Sequence, residues 1–309
     1  MWNNIVFVWG AGKGLWATIP APGRGGVLMI LAGGLLTAMH SVVRYLSSDI
    51  HPFEIAFFRN LFGFLALSPL FIRYGLELLK VRQPKLQALR GITGIIAMLC
   101  WFYGLSVVPL TEATALSFTN TIFGSIIAAI FLKEQLSWQR LGAIFFGFLG
   151  ILVIVRPGLV EWNSGTFLVL VAAFCWGASV VVVKELSRTD SSASIVAWFG
   201  IQLSIMSFPF AIMFWSWPVS TDYFWLALMG LLGTLGHLAM TRALKLMDAV
   251  AVLPLEFIRL LWAGLFGYVF FSELPDLWIW LGAAIIVIST LSFLRREVRG
   301  SSGEKFENE

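Results

Sequence analysis

The chain has 309 residues, 59% of them hydrophobic and only 12% charged, with a mean hydropathy of +0.86. Those values exclude an ordinary soluble domain and leave a polytopic membrane protein. The net charge of +4 sits in basic residues at the ends of apolar stretches, where membrane topology accounts for it without nucleic acid, and Cys100 and Cys175 lie far apart inside apolar runs, offering no disulfide framework or metal motif.

Residues 1–25 read as a cytoplasmic or interfacial leader, since their apolar stretch, Ile5 to Trp9, is shorter than the ~7–15 residues of a signal-peptide core. The GAGKG at Gly10 to Gly14 lacks the Ser or Thr after lysine, the first glycine at the right spacing and the preceding strand that a phosphate loop needs. No cofactor is expected. Ten spanning candidates follow: 26–46, 53–72, 91–108, 111–132 and 141–155, then 165–183, 195–215, 223–244, 249–271 and 277–294. Residues 26–156 make a first unit and 164–294 a second, with 295–309 a cytoplasmic polar tail.

Lysine and arginine set the orientation. Alternate flanks hold Lys13 and Arg24; Arg73, Lys80, Arg82, Lys85 and Arg90; Lys133 and Arg140; Lys184 and Arg188; Arg242 and Lys245; and Arg295, Arg296, Arg299 and Lys305. That is 17 of the 21 basic residues; Arg44 and Arg156 lie on the opposite flanks and Arg59 and Arg259 within spans. The richer side is cytoplasmic, so both termini are expected inside.

One ungapped offset of 139 residues pairs Gly26 with Gly165, Val42 with Val181, Leu89 with Leu228, Gly91 with Gly230, Gly94 with Gly233, Leu105 with Leu244, Phe118 with Phe257 and Glu134 with Glu273. Each unit holds an odd number of helices, so the second must sit upside down relative to the first. The expected fold class is an all-α integral membrane protein, ten transmembrane helices arranged as two inverted five-helix repeats around a central cavity. Secondary carriers have this layout, with substrate sites near the midplane at the repeat interface.

Ionisable residues inside spans mark the candidate site. The run 249–271 carries Glu256 and Arg259 near its middle, and a charge at membrane depth costs roughly 2.5 kcal/mol or more, so both should face protein or water. Three residues apart, they share a helix face and can pair; a structural ion pair and a place in a substrate path are both open readings. His40 and Arg44 share a face of the first helix, and Glu54 and Arg59 lie on the second, where Arg59 could pair with Glu54 or Glu256 or meet substrate. The third brings Trp101 and Tyr103. The fourth brings Thr114, Ser117, Thr119, Asn120 and Thr121, a polar density that a lipid-facing helix would avoid. Asn120 is the 139-offset counterpart of Arg259, and Ser117 that of Glu256. Trp101 and Trp262 read as packing or as stacking surfaces for a planar ligand, and His237 as a packed polar contact. Gly142, Ala143, Gly147, Gly230, Gly233 and Gly236 read as close helix crossings.

The stretches HPFEIAFFRN from His51, LRGITGIIAMLCWFYGLSVVPLTEATALSFTN from Leu89 and FLKEQLSWQRLGA from Phe131, with the later TRALKLMDAVAVLPLEFIRLLWAGLFGYVFFSELP and WLGA, resemble the EamA branch of the drug/metabolite transporter superfamily over 26–294. That resemblance implies ten helices in two bundles and alternating access. HPFEIAFFRN and LEFIRLLWA look like carriers that import S-adenosylmethionine and, less closely, riboflavin and amino-acid carriers. The first helix offers His40 and no acid, unlike small multidrug relatives with a mid-helix glutamate, which argues against proton-driven export of lipophilic cations.

The expected function is therefore secondary transport of a small anionic or zwitterionic metabolite across a bacterial inner membrane, the cation excess of Arg44, Arg59 and Arg259 over Glu54 and Glu256 favouring such a solute. S-adenosylmethionine, an amino acid or a flavin would fit. A membrane sensor or scaffold, or an exporter of drugs or amino acids, is the alternative. Partners are the metabolite and the bilayer, as a monomer or homodimer. The sequence lacks the Gly-x-Ser-x-Gly, His-Glu-x-x-His and acidic-cluster motifs of intramembrane enzymes, and it lacks an ATP motif, leaving a gradient or exchange to drive transport. The orientation is checked by cysteine labelling from outside, which should reach positions in 216–221 and miss those in 80–85; the reverse pattern would overturn it.

Overall fold

The structure is a computed structural model that describes residues 19–108, 116–155, 163–272 and 277–306. The described residues are helical, without a strand. Helices α1 (Ala21–Leu46), α2 (Pro52–Leu65), α3 (Ser68–Tyr74), a 3-10 turn (Gly75–Leu79), α4 (Pro84–Val107), α5 (Asn120–Phe131) and α6 (Trp138–Val155) make the first half. Helices α7 (Ser164–Thr189), α8 (Ser192–Ile212), α9 (Ser220–Leu246), α10 (Ala249–Val252), a 3-10 segment (Leu253–Ile258), α11 (Arg259–Phe271) and α12 (Leu277–Phe306) make the second.

Each of the ten apolar stretches contains helix, but among the described residues six segments are long and apolar enough to cross a membrane: 21–46, 52–79, 164–189, 192–212, 220–246 and 249–270. This is fewer than the ten spans expected. Among the remainder, Asn120–Phe131 and Trp138–Val153 are shorter apolar helices, and the start of the expected span 111–132 lies outside the described residues. The leader up to residue 18, GAGKG, Thr114, Arg156 and Glu273 also lie outside them. The expected polar tail differs too, because helix α12 runs on to Phe306 with no proline to stop it.

Helix starts follow local chemistry. Pro52 and Pro84 take first-turn positions, where the missing N–H costs no helical bond, and Asn163 and Ser191 accept from the N–H groups of Thr166 and Ser194 at 3.0 and 2.9 Å. Two stretches expected as single helices are broken. Pro69 stands in the first turn of α3, just after the turn at Ala66 and Leu67, and Pro254 stands inside the 3-10 segment between α10 and α11. Proline lacks the N–H that an α-helix needs and its ring clashes with the carbonyl four residues back, so neither helix continues through it.

The internal repeat is visible in the backbone. The starts of α5 and α11, Asn120 and Arg259, differ by the sequence offset of 139 residues, as do those of α6 and α12. Among the described non-glycine residues, Lys133 and Ser272 alone have positive φ, both 56°, and they too are 139 apart. Exchanging the halves maps the main helix pairs onto one another. Helix α1 packs on α9 as α7 packs on α4, α11 on α1 as α5 on α7, and α2 on α9 as α8 on α4, while the α2–α8 and α6–α12 pairs map onto themselves.

Glycine sets how closely these pairs approach. A Cβ on Gly230 of α9 would lie 2.6 Å from the Gly63 nitrogen of α2, and one on Gly177 of α7 would lie 2.7 Å from the Asn120 carbonyl oxygen, so no side chain fits at either crossing. At the Gly63 crossing the Thr234 hydroxyl donates to the Gly63 carbonyl at 2.7 Å. At one end of the bundle the Glu134 carboxylate accepts from the N–H groups of Ala249 and Val250 at 3.1 and 2.9 Å, and Lys184 donates to the carbonyls of Leu244 and Met247 at 3.0 and 2.6 Å. These contacts close the free end groups of α9 and α10.

Candidate functional site

The α2–α9 crossing at Gly63 and Gly230 brings Arg59 of α2 against His237 of α9. Arg59 Nη2 lies 3.0 Å from His237 Nε2, Nη1 donates to Asn60 Oδ1 at 2.9 Å, and Nε donates to Met39 Sδ at 3.1 Å. A guanidinium only donates, so His237 accepts at Nε2, is neutral and carries its proton on Nδ1. That Nδ1 is buried and unpartnered, as is Asn60 Nδ2. The His237 ring meets Phe199 of α8 edge to face at 5.3 Å, and Arg90 of α4 lies over the other ring system of this stack, 3.9 Å from the Phe199 centroid, with Nη1 on the Ser179 hydroxyl of α7. A narrow crevice of about 20 Å³ lies between Arg59, Asn60, Phe199 and His237.

A second arginine–histidine contact stands nearby. Arg259 opens α11 immediately after the 3-10 break, and its stem crosses α1 where Gly33 is bare: a Cβ there would lie 3.2 Å from Arg259 Cγ. Its Nη2 comes within 3.4 Å of His40 Nδ1, and Thr37 donates to its carbonyl at 3.4 Å. His40 is exposed although it lies well inside α1. Arg59, Arg90 and Arg259 are all close enough for their charges to act on His237, and Arg59 and Arg259 act on His40. No carboxylate among the described residues pairs with any of these five.

The two expected acids are engaged elsewhere. Glu54 is wholly buried, and its Oε2 accepts from both the N–H and the hydroxyl of Ser216, at 3.1 and 3.0 Å, pinning the segment after α8. Glu256, 4% exposed within the 3-10 segment, accepts from Asn120 Nδ2 at 3.0 Å. The anticipated Glu256–Arg259 pair, and the alternatives of Arg59 with Glu54 or Glu256, are therefore not formed. The helix break puts Glu256 against the other half of the chain while Arg259 reaches α1.

The aromatic candidates divide. Trp262 is committed to packing: its indole N–H donates to the Ile30 carbonyl at 3.1 Å, its ring covers Gly34, and Phe266 stacks on it at 5.9 Å. Trp101 tilts against Trp176 of α7 at 5.6 Å, half-buried, whereas Tyr103 and Arg44 are exposed. Sequence reasoning missed Arg90, Asn60 and the role of His237. Arg90 was counted with the cytoplasmic flank because the apolar run begins at Gly91, yet α4 starts at Pro84 and buries Arg90 to 5% exposure. The signal was Pro84, a first-turn residue six positions earlier.

The fold thus holds buried cations at the junction of two related halves, and the relationship extends to other proteins. The profile of the EamA-like transporter family matches twice, over residues 24–156 and 163–295. The chain belongs to the EamA-like transporter family. This EamA-like protein is a multi-pass membrane transporter of small metabolites and not an enzyme. It is similar to the S-adenosylmethionine uptake transporter of Rickettsia bellii, 32% identical over 259 residues that cover 84% of this chain and 89% of the relative. It is also similar to the riboflavin transporter of Rhizobium johnstonii, 28% identical over 282 residues covering 89% and 92% of the two chains. A solved crystal structure shares its fold with a TM-score of 0.75 at 18% identity, covering 89% of this chain and 96% of the other.

The Asn120–Glu256 contact joins the halves and can be tested alone. Asn120→Leu should destabilise the detergent-solubilised transporter by about 1–3 kcal/mol, since it leaves a buried carboxylate unpartnered, and adding Glu256→Met should recover most of the loss in urea unfolding. Additive losses in the double variant would refute that coupling.

Proposed function

We propose that this EamA-like transporter moves a small anionic or zwitterionic metabolite across the bacterial inner membrane by alternating access. In this reading ten spans form two inverted five-helix units, residues 26–156 and 164–294, with both termini cytoplasmic and the substrate path between the units. Arg59, Arg259 and His40 line that path. Tyr103 and Arg44 stand as exposed groups of its approaches, and Asn120 and Glu256 tie the units together beside it.

The observation that carries the reading is the group of buried and half-buried cations, Arg59, Arg90 and Arg259, that no carboxylate among the described residues neutralises. Charges at membrane depth are costly and mark substrate pathways, and an anionic group entering between them would relieve the mutual repulsion. The discontinuity at Leu253–Ile258 adds support, because carriers of inverted-repeat construction bind solutes where a helix is broken. Relatives named for S-adenosylmethionine and riboflavin transport point to a solute that joins a flat ring system to polar groups. S-adenosylmethionine would bring a carboxylate to the guanidinium groups and a sulfonium that aromatic faces can accept. Without an ATP motif, a solute or ion gradient or exchange supplies the energy.

Uptake of labelled S-adenosylmethionine into proteoliposomes tests the reading, with amino acids and riboflavin as further solutes. Arg259→Lys should stay folded and lose about tenfold or more of the flux, because lysine keeps the charge but not the planar, multi-donor guanidinium that reaches His40 and the solute together. Wild-type flux in Arg259→Lys and in Arg259→Gln would remove Arg259 from the path, and robust transport of a lipophilic cation with no competition by acids would contradict the substrate class.

A further inference from the structure

The crevice at Arg59 has a property that an ordinary helix crossing lacks: its unused polar atoms are all donors. Among the described residues Arg59 spends three of its five N–H groups, and each goes to a neutral acceptor: the Met39 sulfur, the Asn60 amide oxygen and the His237 ring nitrogen. Beside it Asn60 Nδ2, on a residue 3% exposed, has no partner, and neither has His237 Nδ1, which must carry the ring proton. A buried donor without an acceptor is costly, and a cluster of them around one crevice is the complement of an anion.

The place of the crevice in the fold also fits a ligand. Asn60 and Phe199, which both line it, are 139-offset counterparts, so it straddles the α2–α8 pair that maps onto itself when the halves exchange. Four of its walls are glycines, Gly63, Gly200, Gly230 and Gly233. The same equivalence relates the Gly63–Gly230 crossing to the contact of Gln202 with Gly91. Each side of the axis differs in chemistry: the first half supplies the amide donor and the second a ring wall.

We propose that this crevice is a carboxylate seat, in which the free N–H groups of Arg59 and Asn60 Nδ2 receive the two oxygens of a carboxylate borne by the transported solute, His237 giving up its contact with Arg59 to make room. The seat rests on the transport reading above and assigns the acid end of the solute to Arg59, leaving Arg259 and His40 for the rest of it. A planar carboxylate matches a guanidinium fork flanked by an amide, and the neutral acceptors now held by Arg59 are weaker partners that an anion displaces.

The seat is tested first without any presumed solute. The thermal unfolding midpoint of the full chain in detergent should rise with sodium acetate over equimolar sodium chloride, and the rise should vanish in Asn60→Leu and in Asn60→Asp, which also control for general salt effects. No rise in the wild type, or an equal rise in both variants, overturns the seat even where S-adenosylmethionine is transported. In proteoliposomes that take up labelled S-adenosylmethionine, S-adenosylhomocysteine should compete about tenfold better than 5′-methylthioadenosine, which lacks the carboxylate, and the ratio should fall below about threefold in Asn60→Leu. An unchanged ratio overturns the seat. An acetate response with no flux of any acid supports the seat and overturns the transport reading instead.

Discussion

A charged guanidinium held against a neutral imidazole, Arg59 on His237, is the contact on which the candidate site depends. Membrane helices have no hydrophobic drive to associate, so the contact exists because Gly63 and Gly230 let α2 and α9 touch through their backbones. Around it every acceptor that the described residues offer to Arg59 is uncharged. The protein thereby keeps a cation inside without cancelling it, and the two acids that could have cancelled it are bound to Ser216 and Asn120.

The scaffold is closely repeated while the site is not. The starts of α5 and α11 and of α6 and α12, the left-handed residues and the main helix pairs follow the 139-residue equivalence. The functional side chains break it: Arg259 answers to Asn120, His40 to Ser179, and Asn60 to Phe199. A symmetric pair of arginine sites would double the buried charge on the axis, whereas substitution in one half leaves room and donors for one asymmetric solute. The same asymmetry explains the Asn120–Glu256 bond, in which a neutral group of the first half satisfies an acid of the second.

Much of this was legible in the sequence. Apolar stretches located the helices, the offset announced the repeat, and charges at membrane depth singled out Arg59, Arg259 and Glu256. Partners were not legible. A spacing of three residues put Glu256 and Arg259 on one helix face, but that inference assumes a continuous α-helix, and Pro254 interrupts it. His237 and Asn60 gave no local signal, since each gains meaning only from a residue on another helix. Trp262 illustrates the converse: an indole in a path-lining helix looks like a stacking surface until its N–H is found on Ile30 and its ring over a bare glycine.

An experimental structure of the full chain with bound S-adenosylmethionine, or with another acid found to be transported, tests the central claim most directly. The account predicts the solute between the two halves with its carboxylate within hydrogen-bond distance of Arg59 and Asn60, and with the Arg59–His237 contact rearranged to make room. A solute lodged elsewhere, with Arg59 still held by Met39, Asn60 and His237 as it is now, would contradict it.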